Sequence, residues 1–406
     1  MPVRPLFLRL PRTAPTLLRT TLRRARWATR VQFLNLGFIA GVWGVHVPSI
    51  KAHFALDERL LSFVLLSMST GSLVSLLLAG RVIAKLGARN ASVVTGMLFC
   101  AGLGSSLVMP GVATLCLALG CMGAGESMYD VAINTEGTTL ETLSGRAVMS
   151  GFHGMFSLGA MGGAGASAAM LRLGIEPTMQ LIGVAVVIVA AVTIASRGML
   201  EVHPAAESAQ RHFTWPRGVL LVIGILILCG MLAEGVMYNW SVLYVQQELH
   251  TTQERAALAY VTFAGATAAM RFAGDAVRAR VSERAMLLTG TLLSATAMTI
   301  VLVVARPWVA MVGFGLVGVG LATVVPILYN AATRVPGVSR AAAIASVSSI
   351  GYLGFMVGPP IIGAIAHASS LTAAMTTLSV AALVLAVGTP RVPTAPAPRS
   401  APPRPA

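Results

Sequence analysis

Apolar runs of about 20 residues recur along this 406-residue chain, separated by short loops. An α-helix needs about 20 such residues to cross the hydrocarbon core of a bilayer. We count about twelve runs, and only 11% of the residues are charged. A soluble globular domain has about 25%. The sequence therefore predicts an all-α membrane protein with twelve transmembrane helices.

The distribution of Lys and Arg predicts the orientation of these helices. With the N-terminus placed in the cytoplasm and the sides alternating, 23 of the 29 basic residues lie inside and 5 lie outside. Cytoplasmic loops of membrane proteins carry such an excess. We therefore interpret the net charge of +15 as an orientation signal rather than a nucleic-acid surface, and expect both termini in the cytoplasm.

Three polar segments divide the chain. Residues 1–28 are rich in Arg without any acid, which predicts a disordered basic cytoplasmic tail, with a transit peptide as the alternative. Residues 197–217 hold charges and prolines and predict a cytoplasmic linker. Residues 389–406 are Pro-rich and predict a disordered tail. Six-helix bundles then occupy residues 29–196 and 218–388.

A polar stripe follows one face of the fourth apolar run. Glu126, Asp130 and Asn134 are four residues apart, so they share a helix face. An ionisable group inside a bilayer costs roughly 2.5 to 3.5 kcal/mol and marks a functional site. We predict that Asp130 is the proton-coupling carboxylate and that Glu126 is its partner, since two nearby acids can share a proton. The alternative is an ion pair between Asp130 and Arg271 or another buried base.

Other polar and aromatic side chains in apolar surroundings are predicted to line a substrate cavity. They are Asn35, Trp43, Asn134, His153, Ser157, Glu234, Tyr238, Asn239, Trp240, Tyr329, Asn330 and Tyr352. For Trp43 an interfacial anchor is the alternative, and for His153 a packing role. Pro326 predicts a bend in the tenth run. These side chains suit a small polar solute, and the sequence has no metal-ligand spacing, so we expect no metal and no cofactor.

The loop GRVIAKLGARN between the second and third runs resembles motif A of the major facilitator superfamily. The matching residues are Gly80, Lys85, Gly87 and Arg89. Motif A usually has an aspartate where this chain has Ala84. In the family that aspartate helps to hold the two halves together on the cytoplasmic side.

Two internal repeats indicate parallel six-helix halves, the arrangement of this superfamily. RFAGDAVRAR reads as a second copy of the loop, because a shift of 191 residues places Asp275 on Ala84 and Arg280 on Arg89. A shift of 195 lays one glycine triplet on another, Gly120, Gly123 and Gly125 on Gly315, Gly318 and Gly320. The predicted cytoplasmic gate comprises Gly80, Lys85, Gly87, Arg89, Arg271, Asp275, Arg278 and Arg280.

Within the superfamily, DVAIN, SGFHGMFSLG, NWS and GYLGFMVGPP look like the branch of bacterial inner-membrane proteins related to fucose permease. The resemblance implies the major facilitator fold, two pseudo-symmetric six-helix bundles, and proton-coupled secondary transport by a monomer in the inner membrane. Fucose permease has an acid in its first span that this chain lacks, so its sugar is not carried over.

Three other functions remain open. An efflux antiporter would use the same fold, although the Gly-Pro signature usual in the fifth span of such proteins is missing. A sensor that does not transport could keep the fold as well. An enzyme would need a catalytic set, and the sequence contains no HExxH, GxSxG or P-loop motif. We therefore predict a transporter and not an enzyme.

Overall fold

The computed structural model describes residues 14–146, 148–201 and 216–394. Within these residues the chain is helical and contains no strand. The helices are α1 (Ala14–His53), α2 (Glu58–Ser105), α3 (Val112–Ser144), α4 (Met149–Arg172), α5 (Pro177–Ser196), α6 (Val219–Gln247), α7 (Gln253–Arg278), α8 (Glu283–Val304), α9 (Pro307–Leu321), α10 (Val324–Ala332), α11 (Arg340–Ala368) and α12 (Leu371–Gly388), before a 3₁₀ turn at Thr389–Arg391.

Helix α2 contains two spans. Its 48 residues would extend about 72 Å, more than twice the thickness of a bilayer core. The helix breaks at Gly87, whose φ of 74° and ψ of 156° are not helical. A positive φ favours glycine because it has no Cβ. The predicted loop of residues 80–90 is therefore wrong in extent, since the chain is helical on both sides of this one residue.

Helices α9 and α10 together make one span, with a break at Ala322 and Thr323. Pro326 lies one turn beyond the break. A proline has no N–H, and its ring clashes with the carbonyl four residues earlier, here that of Ala322. The predicted bend is confirmed. With α2 counted twice, the described residues hold twelve spans.

Ten helices of the described chain are long and apolar enough to cross a membrane, with α9 and α10 taken as one. Helix α4 is not among them, because its many glycines lower its mean hydropathy. Large apolar side chains cover the outside of the bundle, and Leu77, Leu117 and Val303 are 72 to 78% exposed. Such exposure is compatible with lipid, since lipid solvates apolar surface that water would not.

The parallel repeat is visible in the packing of the helices. A Cβ on Gly123 of α3 would lie 2.0 Å from the carbonyl oxygen of Met68, and one on Gly318 of α9 would lie 2.4 Å from that of Phe263. Met68 and Phe263 differ by 195 positions, as the two glycines do. The same close helix crossing therefore occurs once in each half.

The register of the second loop copy differs from the prediction. Thr95 and Gly290, which follow the two loops, contact equivalent glycines of α3 and α9 and again differ by 195 positions. Asp275 therefore corresponds to Gly80, and an alanine corresponds to Ala84. The shift of 191 is wrong by about one helical turn, because the helix contacts before and after the two loops share the offset of 195.

The predicted N-terminal tail is also shorter than expected. Helix α1 begins at Ala14, so residues 14–28 continue the first span as helix rather than as a disordered tail. The other predictions for the ends and the linker concern residues that lie largely outside the described chain, at 1–13, 202–215 and 395–406.

Candidate functional site

Arg271 of α7 forms the centre of a polar cluster between the two halves. Its Nη1 donates to Ser157 Oγ at 2.8 Å and to the His153 carbonyl oxygen at 3.5 Å, both on α4. Its Nη2 lies 3.6 Å from Glu234 Oε1 on α6, and the two side chains are 13% and 14% exposed. The gate role of Arg271 stays a prediction, and the structure places this residue within α7, two helical turns before the helix ends.

The hydrogen-bond partner of Asp130 on α3 is Asn134 and not a basic residue. Asn134 Nδ2 donates to Asp130 Oδ1 and to its backbone oxygen, both at 2.9 Å. In the described part of the chain no Lys or Arg lies within ion-pair distance of Asp130, and Arg271 pairs with Glu234 instead. Glu126 lies near enough for its charge to interact with that of Asp130.

Residues of α1 and α6 join the halves on one side of this cluster. Trp43 Nε1 donates to Asn239 Oδ1 at 3.2 Å, and Asn239 Nδ2 donates to the Gly235 carbonyl oxygen at 3.1 Å. Trp43 is 4% exposed, so it does not anchor the protein at the membrane interface. Asn35 is buried, and its Nδ2 has no partner within the described residues.

Tyrosines contribute from the C-terminal half. Tyr329 Oη accepts a hydrogen bond from Ser348 Oγ at 3.2 Å. Tyr352 of α11 lies near enough to Asp130 for the two groups to interact electrostatically. The ring of Tyr238 packs edge-on against Phe263, with centroids 5.6 Å apart.

Trp240 and Asn330 have surroundings other than the polar cluster, whereas His153 lies beside Arg271. Trp240 is buried in the hydrophobic core, so its assignment to the cavity is wrong. Asn330 is exposed, and within the described chain its side chain has no hydrogen-bond partner. The side chain of His153 is exposed and packs edge-on against Phe33, with centroids 5.4 Å apart. An apolar sequence context alone did not distinguish Trp240 and Asn330 from the residues of the cluster.

The predicted gate is not assembled as one unit. Arg89 pairs with Glu201 at 3.0 Å inside the same half, and Gly80, Lys85 and Arg280 are exposed. The side chain of Asp275 lies outside the described side chains, and Arg278 Nε is buried without a partner in the described chain. Apart from Arg271, the described gate residues make no hydrogen bond or ion pair between the halves.

Contacts between the halves gather at the end of the bundle where α1 ends and α7 begins, which we call the distal end. Gln253 Nε2 donates to the Val45 carbonyl oxygen and to Ser49 Oγ, both at 2.8 Å. Lys51 Nζ donates to Gln247 Oε1 at 3.1 Å. We call the opposite end, where α1 and α4 begin and α7 ends, the proximal end. Among the described hydrogen bonds between the halves, those of Arg271 lie nearest to the proximal end.

Sequence reasoning missed several buried polar residues. Tyr129 Oη donates to Gln32 Oε1 at 2.6 Å, and Gln32 Nε2 donates to the Val192 carbonyl oxygen at 3.1 Å, which joins α1, α3 and α5. Glu136 is fully buried and accepts from the Leu200 N–H at 2.8 Å. A polar residue inside an apolar run is the signal that could have found all three.

Known relatives align with most of this chain, and a family profile matches its C-terminal part. The profile of the Major Facilitator Superfamily matches residues 221–406. An uncharacterized MFS-type transporter of Yersinia pestis is 34% identical over 363 residues, which cover 88% of this chain and 93% of the relative. Membrane protein MosC of Rhizobium meliloti is 28% identical over 352 residues, which cover 86% of this chain and 85% of the relative.

Solved structures share the fold. The crystal structure of a D-xylose-proton symporter has a TM-score of 0.72 and covers 90% of this chain and 96% of its own. That of FucP, in the outward conformation, has a TM-score of 0.62 and covers 90% and 97%. Each is 14% identical, so each supports the fold alone. Together with the relatives, they confirm the predicted fold and a multi-pass membrane transporter rather than an enzyme.

Proposed function

Because this chain belongs to the Major Facilitator Superfamily, we propose that it moves a small polar solute across the bacterial inner membrane by proton-coupled alternating access. The observation that carries the proton coupling is the environment of Asp130. This carboxyl group lies in a membrane span, has Asn134 as its hydrogen-bond partner, and has no cationic partner among the described residues.

A carboxylate without a counterion is costly in apolar surroundings, and it is neutralised by taking up a proton. Asp130 can therefore alternate between a neutral form in one conformation and a charged form in another. Glu126, one turn away, allows the two acids to act as a coupled pair. Glu234 is unsuited to the same role, because Arg271 stabilises its charged form.

The solute is proposed to contact neutral polar groups between the halves. Asn35 offers a buried amide donor without a partner in the described chain, and Tyr352 approaches Asp130 from the other half. A buried donor without an acceptor is a group that a polar ligand can satisfy. Asn35 belongs to α1 in the N-terminal half and Tyr352 to α11 in the C-terminal half, so a solute that contacts both would link the two halves.

Alternating access requires the two halves to rock around this region. In the present structure the hydrogen bonds of Gln253 and Lys51 join the halves at the distal end. These bonds must break for the distal end to open. The excess of basic residues at the opposite end supports a cytoplasmic location for that end and for both termini.

Transport assays in sealed vesicles test this proposal. Purified protein would be reconstituted with a pH-sensitive dye inside, and sugars, sugar acids, amino acids and cationic drugs would be added in turn. We expect one class to move protons, and the sign of the movement to separate symport from antiport.

The Asp130→Asn variant tests the coupling residue. We expect it to lose uphill accumulation of the solute and to keep solute exchange, because exchange needs no net proton movement. Glu176→Gln is the matched control, since Glu176 is exposed in the loop before α5 and makes no side-chain cap hydrogen bond. Full uphill accumulation by Asp130→Asn would exclude Asp130 as the proton-binding group.

A further inference from the structure

A cavity of about 210 Å³ lies at the proximal end, between α1, α4 and α7. Arg26 and Arg30 of α1 and Arg271 of α7 line it together with the first turn of α4. Phe152 and Phe272 form aromatic walls. The volume is below the roughly 300 to 1,000 Å³ of pockets that bury a drug-sized ligand, so a ligand here must be small.

Three guanidinium groups line this cavity, and no carboxylate is among its lining residues. In the described chain Arg26 has no hydrogen-bond partner, and Arg30 has only the ring of Trp27, with its Cζ 4.7 Å from the ring centroid. The Nε atoms of Arg26 and Arg271 are buried without an acceptor. A buried donor without an acceptor costs free energy, so an anionic group that accepts from these donors would be stabilised here.

Two carboxylates lie near the cavity, those of Glu234 and Glu141, and each already has hydrogen-bond or ion-pair partners. Glu234 pairs with one nitrogen of Arg271, Nη2. Glu141 Oε2 accepts from the amides of Val148 and Met149 at 2.9 and 3.2 Å, at the start of α4. Glu141 is therefore held by the start of α4 and makes no ion pair with an arginine of the cavity in the described chain.

We infer that this cavity binds a small organic carboxylate from solution, with the carboxylate on the arginines and a small apolar body beside Phe272, which is 51% exposed. The planar guanidinium group of arginine donates two parallel hydrogen bonds to a carboxylate. A neutral polar ligand forms weaker hydrogen bonds with the same donors. The site goes beyond the proposed transport function. Binding is measurable without any gradient, so the failure of either proposal leaves the other standing.

Calorimetric titration of the purified full-length protein in detergent provides the test, with benzoate and benzamide as probes. The two compounds have the same ring and nearly the same size, and only benzoate carries a charge. We expect benzoate to bind and benzamide to show no measurable binding. Equal binding of the two, or no binding of benzoate, would overturn the inference.

Variants assign the binding to this cavity. Arg26→Gln and Arg30→Gln should each raise the Kd for benzoate by about tenfold or more, as expected for the loss of a charge-assisted hydrogen bond. Arg23→Gln is the matched control, since Arg23 is exposed on the same helix and does not line the cavity. Melting curves establish that each variant is folded. An unchanged Kd in both cavity variants would contradict the assignment.

An anionic lipid headgroup could present similar chemistry, and lipid nanodiscs distinguish the two sources. We expect benzoate to bind with a similar Kd in nanodiscs of phosphatidylcholine and of phosphatidylglycerol. Loss of benzoate binding in phosphatidylglycerol alone would identify the occupant as a lipid headgroup and would overturn the inference of a solute from solution.

Discussion

Two carboxylates of the cluster differ in their partners. Glu234 lies 3.6 Å from Arg271, whereas the hydrogen bonds of Asp130 come from Asn134. Because both acids lie inside spans, each must have either a cation or a proton for compensation. This difference is the residue-level reason for assigning the structural charge pair to Glu234 and the proton-binding role to Asp130.

Removal of Arg271 should leave the Glu234 carboxylate without its counterion. We expect Arg271→Gln to destabilise the protein by about 3 kcal/mol, as expected when one partner of a mostly buried pair is removed. The double variant Arg271→Gln with Glu234→Gln should recover part of this loss, because it leaves no uncompensated charge. Thermal unfolding midpoints of the purified variants measure both effects.

The exposed pair between Arg89 and Glu201 is the control for this comparison. Exposed ion pairs contribute little, because water screens them. Arg89→Gln should therefore hardly change the unfolding midpoint. A double variant no more stable than Arg271→Gln would show that the charge of Glu234 is compensated by another group.

At the level of the helices, glycines set the distance between α1 and α4. A Cβ on Gly41 would lie 2.1 Å from the Ala160 carbonyl oxygen, and one on Gly159 would lie 2.1 Å from that of Leu34. Both values are far below the separation that real Cβ atoms reach. The backbones of these helices are therefore in direct contact, as small residues permit in membrane proteins.

Substitution of Gly159 by alanine should force α1 and α4 apart. We expect Gly159→Ala to lower the unfolding midpoint clearly, because overpacking costs roughly 1 to 3 kcal/mol and the atoms here belong to the backbone. Gly162→Ala on the same helix should be tolerated, since its Cβ would meet the Phe38 ring at 3.7 Å. Equal midpoints for the two variants would argue against the close contact.

Across the whole molecule, the hydrogen bonds of Gln253 hold the distal ends of the two halves together. Its side chain contacts two groups of α1, at Val45 and Ser49, both at 2.8 Å. In a transporter that alternates, such bonds stabilise only the conformations with this end closed. Their removal changes the populations of conformations and not the fold of either half.

The Gln253→Ala variant should open the distal end more often. Two neutral hydrogen bonds are worth roughly 1 to 3 kcal/mol, so the population of open forms should rise by about fivefold or more. Electron paramagnetic resonance distances between spin labels at positions 52 and 250, in a background without the native cysteines, measure this shift. Thr251→Ala is the control, since its hydroxyl bonds within its own half. Identical distance distributions in the two variants would refute the role of Gln253.

Hydropathy and spacing were sufficient to predict the class of fold, the twelve spans, the repeat and most members of the polar cluster. The reason is that a bilayer imposes a fixed length on each span and a high cost on each polar group inside it. Asp130, Asn134, Ser157 and Glu234 were found in this way. The bend at Pro326 was found from local chemistry, since proline prevents a helical hydrogen bond wherever it occurs.

Partners and distances needed the packed structure. Arg271 was predicted from the sequence as a gate residue, but its partners on α4 and α6 became visible only in the packed structure. Arg26 was assigned to the tail and Arg30 to the start of the first span, and the helical continuation of α1 brings both against α4 and α7. The sequence gives the residues of each span and their spacing along the helix. Which helix faces meet depends on contacts between residues far apart in the chain, as the close crossing of α1 and α4 illustrates.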